Sequence, residues 1–404
     1  MTHFICLMEK TMKRLALLML ITLLAAACGP AATPETVVET IVQTQTVIQT
    51  QEVVKEVVKE VMVTPTPGAY DAIIEASKTE KDGLLIYSIM GERNWAPVLE
   101  GFKARYPWIE VTTTDLGAYE VFERYYTEAA GNARTGDMII TAAPDGWINF
   151  ASKGEVLPYV SVEDANIPDI GKVSDGIYAV STDPMVFIWN TSLMPTPPTT
   201  MAELVSLIQA NPGAFANKIV TYDAAGEGFG YGLNWYYTAA KGDAGWATLE
   251  AIGAIKPTIL TSGGRMIDSV LAGESVLGYF VSNITVQPRI ASSGGLLGWA
   301  YVPDAQVVVV RGMAVTQKAA SPNSAKLMLD YILSDEGQIA FALGGLTAYR
   351  PDVAARSRLH LNQVIEAVGG EENLIISRPS AELADQAKHD EFITRWQAAL
   401  QIQP

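Results

Sequence analysis

Short apolar runs alternate with helical stripes over residues 84–140, and this alternation constrains the fold more than any other feature of the sequence. Residues 84–88 form an apolar run with strand character. A helix can begin at Pro97, and Val98, Phe102 and Tyr106 then recur at helical spacing. The same order continues with a strand at 109–114, a helix at 119–130 and a strand at 138–140. A β-α-β-α-β order predicts an α/β fold with a largely parallel sheet covered by helices.

A second α/β unit follows and ends near residue 333. Thr200 and Glu203 have the pattern of a capping box, which predicts a helix over 199–209. Further strands are predicted at 185–189, 218–222, 276–281 and 306–310, and further helices at 231–241, 246–254, 266–271 and 324–333. Because the chain passes between the two units more than once, we predict two lobes around a cleft. The first predicted lobe is 70–182 plus 300–350, and the second is 183–299 plus 351–404. Residues 354–404 are expected to form a mostly helical tail that packs back on the second lobe.

The first 27 residues have the composition of a secretory signal. Three basic residues, the last of them Arg14, precede an apolar run at 15–27, which is far shorter than the roughly 20 residues that span a bilayer. Small residues directly before Cys28 resemble the lipobox of bacterial lipoproteins, in which the cysteine is lipidated. We expect a signal peptide over 1–27 and a lipid anchor on Cys28, with a plain signal peptide and a chance cysteine as the alternative.

Residues 28–69 follow as a low-complexity tether. This segment is rich in Thr, Val, Gln and Glu, and it contains no aromatic residue. Such a segment cannot build a packed core, and its Thr-Pro pairs favour an extended backbone. We therefore predict an extended stalk that holds the folded part off the membrane, with a short helix or a weak coiled coil as the alternative.

The charge and the rare residue types exclude several classes of function. There are 28 Lys and Arg residues against 44 Asp and Glu, and the net charge of −16 repels nucleic acid and anionic lipid head groups. Cys28 is the only cysteine after position 6, and His360 and His389 are the only histidines after position 3. Disulfides, zinc clusters and thiol or histidine catalysis are therefore poorly supplied, and no cofactor is predicted. The sequence contains neither a Gly-x-Ser-x-Gly nucleophile motif nor a phosphate-binding Walker loop.

Seven segments between residues 84 and 353 carry a resemblance to a known family: 85–88, 102–111, 136–140, 151–159, 270–274, 325–338 and 349–353. They resemble extracellular solute-binding proteins of bacterial ABC importers, in the branch that contains ferric-ion-binding proteins and binders of phosphorylated compounds. The resemblance implies a two-lobed periplasmic-binding-protein fold of type II, whose hinge closes it over one small solute. It also implies a non-catalytic monomer that delivers the solute to a permease and ATPase complex. A ligand-sensing surface lipoprotein without a transport role and a surface hydrolase are the alternatives.

Candidate ligand-binding residues lie just after the apolar runs, because open α/β sheets bind ligands outside the carboxyl ends of their strands. Ser88 ends the first strand and offers a hydroxyl, with a turn or cap serine as the alternative. Thr141 and Ala142 end another strand, where small residues leave room for a ligand. Asp183 precedes the strand that crosses to the second lobe and can accept a bond from a hydroxyl or a cation, or it is a turn residue before Pro184.

Two Gly-rich segments precede predicted helices, where free N–H groups favour an anion. Gly228 and Phe229 belong to the first segment, at 226–230, whose alternative role is a plain turn. Arg265 follows the second segment, at 262–264, and its guanidinium can bind a carboxylate or a phosphate through two hydrogen bonds. An exposed ion pair is the alternative for Arg265.

Tyr279 and Asn283 lie at and after a strand that bears on iron binding. In ferric-binding relatives an adjacent tyrosine pair after this strand supplies phenolate ligands, but here the pair is Tyr279-Phe280. No metal ligand is therefore assigned, and Tyr279 and Asn283 are predicted to donate hydrogen bonds to an organic ligand. The expected solute is small and anionic or iron-related, and its lipid-anchored receptor faces the periplasm or the extracellular side.

Overall fold

The computed structural model describes residues 67–226 and 228–402, which all belong to one compact unit of the chain. The predicted signal peptide, Cys28 and all but the last three residues of the predicted tether lie outside the described residues. Those last three residues begin a helix, α1 (Pro67–Ser77), so the folded part starts slightly earlier than Tyr70.

Every helix and strand that the sequence predicts over 84–333 occurs in the predicted order, and further short elements lie between and after them. The helices are α2 (Glu92–Arg105), α3 (Glu120–Ala130), α4 (Pro144–Ser152), α5 (Met201–Ala210), α6 (Pro212–Phe215), α7 (Gly228–Lys241), α8 (Asp243–Gly253), α9 (Gly263–Leu271), α10 (Asn283–Ile290), α11 (Pro322–Leu333), α12 (Asp335–Leu343), α13 (Leu361–Val368) and α14 (Gln386–Leu400). The strands are β1 (Leu84–Ser88), β2 (Val111–Asp115), β3 (Met138–Thr141), β4 (Lys172–Ser174), β5 (Ile177–Asn190), β6 (Ile219–Tyr222), β7 (Thr258–Leu260), β8 (Leu277–Ser282), β9 (Leu297–Ala300), β10 (Gln306–Val315) and β11 (Leu374–Ile376).

The strands form one sheet with the order β2-β1-β3-β10-β5-β8-β6-β7, and β11, β4 and β9 pair with its central strands. β1 is parallel to β2 and β3, and β6 is parallel to β7 and β8. Between these two parallel groups, β10 and β5 run antiparallel to their neighbours. The sheet is covered by helices, so the predicted α/β fold is confirmed.

Strand β5 connects the two parallel groups. Its residues 178–184 pair with β10, whereas residues 185–190 pair with β8 and β9. The sequence predicts only 185–189 as a strand, because the polar residues before Pro184 resemble a turn. Burial of nearly every position from 177 to 190 keeps these residues extended, since their backbone groups find partners in the sheet on both sides.

Helix α2 begins at Glu92, whereas the sequence predicts a start at Pro97. Two buried side chains hold the earlier turn: Asn94 donates to the Gly344 carbonyl at 2.8 Å, and Trp95 Nε1 donates to Ser88 Oγ at 3.0 Å. A proline removes one backbone hydrogen bond from a helix, and these contacts offset that loss.

Apolar side chains pack on both faces of the sheet. Tyr87 and Ile139 belong to one core cluster, whereas their chain neighbours Ile86 and Ile140 belong to a second cluster. This division follows from the strand geometry, which points successive side chains to opposite faces. The helices on either face therefore both bury an apolar stripe.

The tail after residue 350 contacts more than one part of the sheet. Val364 of α13 lies in the second core cluster, and β11 pairs in parallel with the start of β10. Trp396 of α14 lies in the first cluster, and α14 packs against α8. The sequence assigns the whole tail to the second lobe, whereas these contacts distribute it, because an amphipathic helix does not reveal which surface its apolar face will cover. The lobe boundaries themselves stay predictions.

Asp330 on α11 is a buried carboxylate in the second core region. It accepts hydrogen bonds from Tyr159 Oη and Ser161 Oγ, both at 2.6 Å, yet burial raises its pKa from 3.8 to about 6. Because the folded-state pKa is the higher one, the stabilisation from this group is present below about pH 4 and is lost as the pH rises through about 6. From pH 4 to pH 7 we expect wild type to lose about 2 kcal/mol of unfolding free energy relative to Asp330→Asn. Chemical denaturation at both pH values measures this change, and a difference that does not vary with pH would contradict it.

Candidate functional site

A cavity of about 790 Å³ lies where several strands end. Its wall contains residues at or just after the ends of β1, β2, β6, β7 and β8. Ligands of open α/β sheets bind at this edge, outside the carboxyl ends of the strands. The volume suits a small organic molecule.

Arg311 on β10 lines this cavity, although only 4% of the residue is exposed. Its Nη2 donates to Asp183 Oδ2 at 2.7 Å and to Ser282 Oγ at 3.4 Å. Its Nε and Nη1 have no hydrogen-bond partner among the described residues. An unpaired buried donor costs free energy, and an acceptor from outside the chain would remove that cost. These two guanidinium nitrogens are therefore available to a ligand. The planar guanidinium matches a carboxylate or a phosphate.

Asp183 is a positioning residue for Arg311. It is fully buried and accepts hydrogen bonds from Ser282 Oγ at 2.6 Å and from the Ile284 backbone N–H at 3.2 Å. These contacts join β5, β8 and the first turn of α10 to the guanidinium on β10. The guanidinium is therefore held in one orientation before any ligand arrives.

An aromatic pair borders the guanidinium. The ring centre of Phe229, in the first turn of α7, lies 5.8 Å from Arg311 Cζ. The Phe229 ring also packs edge-to-face on Tyr222, with 5.0 Å between the ring centres. An apolar wall excludes water, which strengthens the attraction between the guanidinium and a bound anion.

Helix starts surround the same cavity. Residues in the first turns of α2, α7, α9 and α10 line it. The first N–H groups of a helix have no partner within the helix and carry partial positive charge, so they favour an anion. Gly263 allows α9 to begin this close, because a Cβ at that position would lie 2.4 Å from Tyr222 Oη.

Charged side chains of both signs complete the wall. Arg93, Arg289, Glu92 and Asp115 line the cavity, and Arg289 forms an ion pair with Asp268 outside the wall. Partial burial raises the pKa of the Asp115 carboxyl, and the charge of Arg311 acts in the opposite direction. The cavity thus contains a guanidinium with free donors and a carboxylate that is partly removed from water.

The structure places Ser88, Thr141 and Ala142 in buried positions that do not line the cavity. Ser88 Oγ accepts the hydrogen bond from Trp95, and Thr141 Oγ1 donates to the Ala118 carbonyl at 2.8 Å. β1 ends at the cavity, where Ile89, one residue after Ser88, belongs to the wall. No residue at or just after the end of β3 lines the cavity.

Gly228, Phe229 and Arg265 occupy three different environments. Gly228 is covered by the Tyr119 ring, which would lie 2.4 Å from an added Cβ. Phe229 lines the cavity, whereas Arg265 is exposed and is not among the lining residues. The segment at 226–230 differs from the predicted turn because α7 already begins at Gly228.

Tyr279 and Asn283 are fully buried and do not line the cavity. Burial raises the pKa of Tyr279, whose hydroxyl has no partner among the described residues. Asn283 Oδ1 accepts a hydrogen bond from Gln287 Nε2 at 2.9 Å. Within residues 67–226 and 228–402, no group of three or more His, Cys, Asp or Glu side chains is arranged to hold a metal ion.

Arg311 is the residue that the sequence prediction missed. It interrupts the apolar run from Val307 to Val315, and for this reason the predicted strand stops at Val310. A single arginine inside such a run is itself a signal. Arginine is almost never fully buried without a partner, so a buried position for it indicates a partner or a ligand.

Two parallel strand groups joined by long antiparallel strands, with a cavity at the strand ends, define a periplasmic binding protein. The chain belongs to the family of bacterial extracellular solute-binding proteins, whose family model matches residues 98–363, more than half of the sequence. The resemblance predicted from the sequence is thus confirmed. No match was found among the proteins with curated functions.

Solved structures are similar over most of the chain. A substrate-binding protein of an ABC transporter from Agrobacterium tumefaciens has 25% identity and a TM-score of 0.72, with 80% of this chain and 96% of that chain covered. AfuA from Actinobacillus pleuropneumoniae, with exogenous fructose-6-phosphate bound, has 16% identity and a TM-score of 0.63, with coverage of 80% and 99%. Iron-bound HitA from Pseudomonas aeruginosa has 17% identity and a TM-score of 0.59, with coverage of 78% and 99%.

Membership of this family establishes the general function. The chain is a solute-binding protein of an ABC transporter, so its partners are a small-molecule solute and a permease, and it acts on the extracellular or periplasmic side. The family and the similar structures are transport binding proteins rather than enzymes. Among the described residues, no helix is both long and apolar enough to cross a membrane.

Proposed function

We propose that the chain captures a small organic anion and delivers it to an ABC importer. One observation carries this proposal. The buried guanidinium of Arg311 lines the cavity, and two of its nitrogens make no hydrogen bond with any described residue. A carboxylate or a phosphate is the kind of acceptor that such unpaired guanidinium nitrogens favour. The helix starts around the cavity favour the same sign of charge.

An organic anion fits the residues better than a directly coordinated ferric ion. The ferric option in the sequence depended on Tyr279, whose hydroxyl is buried away from the cavity. Phe280 stands where a second phenolate ligand would be needed. The guanidinium groups of Arg93, Arg289 and Arg311 outnumber the two carboxylates of the wall, so the cavity favours an anion over a bare cation. Among the similar structures, AfuA holds a phosphorylated sugar, which matches this preference.

The membrane attachment belongs to the same proposal. We infer that residues 1–27 are a signal peptide, that Cys28 carries a lipid and that the chain from there to the start of α1 at Pro67 forms the tether, so a monomeric receptor stays near its permease. The support comes from the small residues before Cys28 and from the absence of aromatic residues in the tether. Mass spectrometry of the protein from membranes tests it, because a diacylglycerol modification on residue 28 is expected and an unmodified cysteine contradicts the anchor.

Thermal unfolding against a solute panel tests the ligand class. The experiment uses residues 62–404, the compact unit that contains all described residues, and adds sugar phosphates, phosphonates, carboxylates, amino acids, polyamines, thiamine or ferric ion. A ligand at 1,000 times its Kd adds about 4 kcal/mol to the free energy of unfolding, which is a shift of several degrees in Tm. We expect shifts with anionic solutes only.

A matched pair of variants makes the assay specific. Arg311→Gln should abolish the anion-dependent shift, whereas Arg358→Gln, at an exposed arginine outside the cavity, should retain it. A shift with polyamines or ferric ion that Arg311→Gln leaves intact would contradict the proposed function.

A further inference from the structure

We infer that the ligand is a zwitterion, an organic anion with an amino group at its other end, and that Asp115 selects for this amino group. The inference rests on the proposed function, because it takes binding of the anionic end at Arg311 as given. It adds a substrate class and a residue that determines specificity.

Asp115 is placed to contact a ligand rather than to stabilise the fold. It ends β2, and it lines the same cavity as Arg311. Its backbone pairs with Ser88 in the sheet, but its carboxylate makes no hydrogen bond or ion pair with any other described residue. Its Oδ2 lies 3.5 Å from the position that a Cβ on Gly91 would occupy, so the carboxylate faces the start of α2 across an open glycine.

The charges of the cavity then define a ligand with two ends. Arg311 offers unpaired donors at one place, and Asp115 offers unpaired acceptors at another. Asp115 is exposed to the open cavity, and the desolvation of the part of its carboxyl that is buried raises the pKa there. A purely anionic ligand would bring a second negative charge near this carboxylate, whereas an ammonium group would supply the missing donors.

The other acidic residue of the wall is in a different situation. Glu92 is the first residue of α2, where the partial positive charge of the helix start stabilises a carboxylate without any ligand. Asp115 ends a strand, is not part of a helix, and faces the start of α2 only from outside that helix. The selection therefore falls on Asp115.

A series of probes with equal chain length tests the inference. Calorimetry of residues 62–404 compares 5-aminopentanoate, pentanoate and glutarate, with shorter and longer ω-amino acids added to match the spacing of the two charges. We expect the best amino acid to bind roughly ten- to a hundredfold more tightly than the carboxylate without an amino group. Glutarate should be the weakest of the three, because its second carboxylate meets Asp115.

Two variants connect the preference to one side chain. Asp115→Asn should weaken binding of the amino acid by about tenfold and should improve binding of glutarate, so the order of the two ligands changes. Asp175→Asn, at an exposed aspartate outside the cavity, should leave both affinities unchanged.

The outcomes separate this inference from the proposed function. Dicarboxylates or sugar phosphates that bind wild type more tightly than every amino acid, with Arg311→Gln abolishing their binding, would overturn the inference and leave the anion receptor intact. An unchanged ligand order in Asp115→Asn would overturn it as well. Binding of no anion of any class would contradict the proposed function itself.

Discussion

Replacing Arg311 by methionine is expected to lower the free energy of unfolding by about 3–5 kcal/mol and to abolish binding of anionic solutes. The variant leaves Asp183 fully buried without its ion-pair partner. Methionine fills most of the space of the arginine stem, so the loss reports the charge rather than a cavity. Chemical denaturation measures the stability, and calorimetry with the best anion of the panel measures the affinity.

A second substitution separates the two effects. The double variant Asp183→Asn/Arg311→Met removes both charges, and it should recover a large part of the lost stability without any recovery of binding. The single amide oxygen at position 183 in that variant can accept from Ser282 Oγ or from the Ile284 N–H, so the recovery stays incomplete. Arg358→Met, at an exposed position, should stay within about 0.5 kcal/mol of wild type. Wild-type stability and affinity in Arg311→Met would show that the guanidinium has neither role.

The position of this ion pair connects ligand binding to the two strand groups. Asp183 is opposite Val309 in the pairing of β5 with β10, and two residues later Met185 pairs with Ser282 of β8. The pair therefore lies where β5 changes its partner from one group to the other. Hinge closure in binding proteins takes place at a few such connecting residues. We expect an anion on Arg311 to stabilise the arrangement in which β5, β8 and β10 all contribute to its site.

The fold could be predicted from the sequence because its signals are local. The alternation of apolar runs and helical stripes over 84–140 depends on neighbouring residues, and each run became a strand or a helix within a few positions. Thr200 Oγ1 accepts from the Glu203 N–H at 3.0 Å, so the predicted helix cap is confirmed. The errors at β5 and α2 arose where tertiary burial overrode local signals from Pro184 and Pro97.

The site could not be predicted in the same way, because its residues meet through the sheet. Ser282 lies 99 residues after Asp183, and Arg311 lies 29 residues after Ser282. No local sequence pattern connects positions that are this far apart. The rule about strand ends predicted the edge of the sheet at which the cavity lies. It did not show that Trp95 would donate a hydrogen bond to the Ser88 hydroxyl. Hydrogen bonds of this kind decide whether a residue at a strand end faces the cavity or the protein interior.

A second large effect is expected at Asp137, directly before β3. Replacement by alanine should lower the free energy of unfolding by about 4 kcal/mol, because three backbone N–H groups and the Arg134 guanidinium lose their acceptor. Asp137 Oδ2 accepts from the Leu85 N–H at 2.8 Å, and Oδ1 accepts from Ala320 and Ser321 at 2.7 and 2.9 Å. The carboxylate thus joins β1 and the start of α11 to the beginning of β3. Chemical denaturation at neutral pH measures the loss.

Comparing Asp137→Asn with Asp137→Ala separates the loss of hydrogen-bond acceptors from the loss of negative charge. Asp137→Asn retains one oxygen, which can accept from Ala320 and Ser321, but its amide group would face the Leu85 N–H, so roughly half of the loss should remain. Asp137 does not line the cavity, so the folded fraction of either variant should bind the anion as wild type does. Asp175→Ala, at an exposed aspartate, should change the stability by less than about 0.5 kcal/mol. If Asp137→Ala were equally well tolerated, the carboxylate could not be what holds these three segments together.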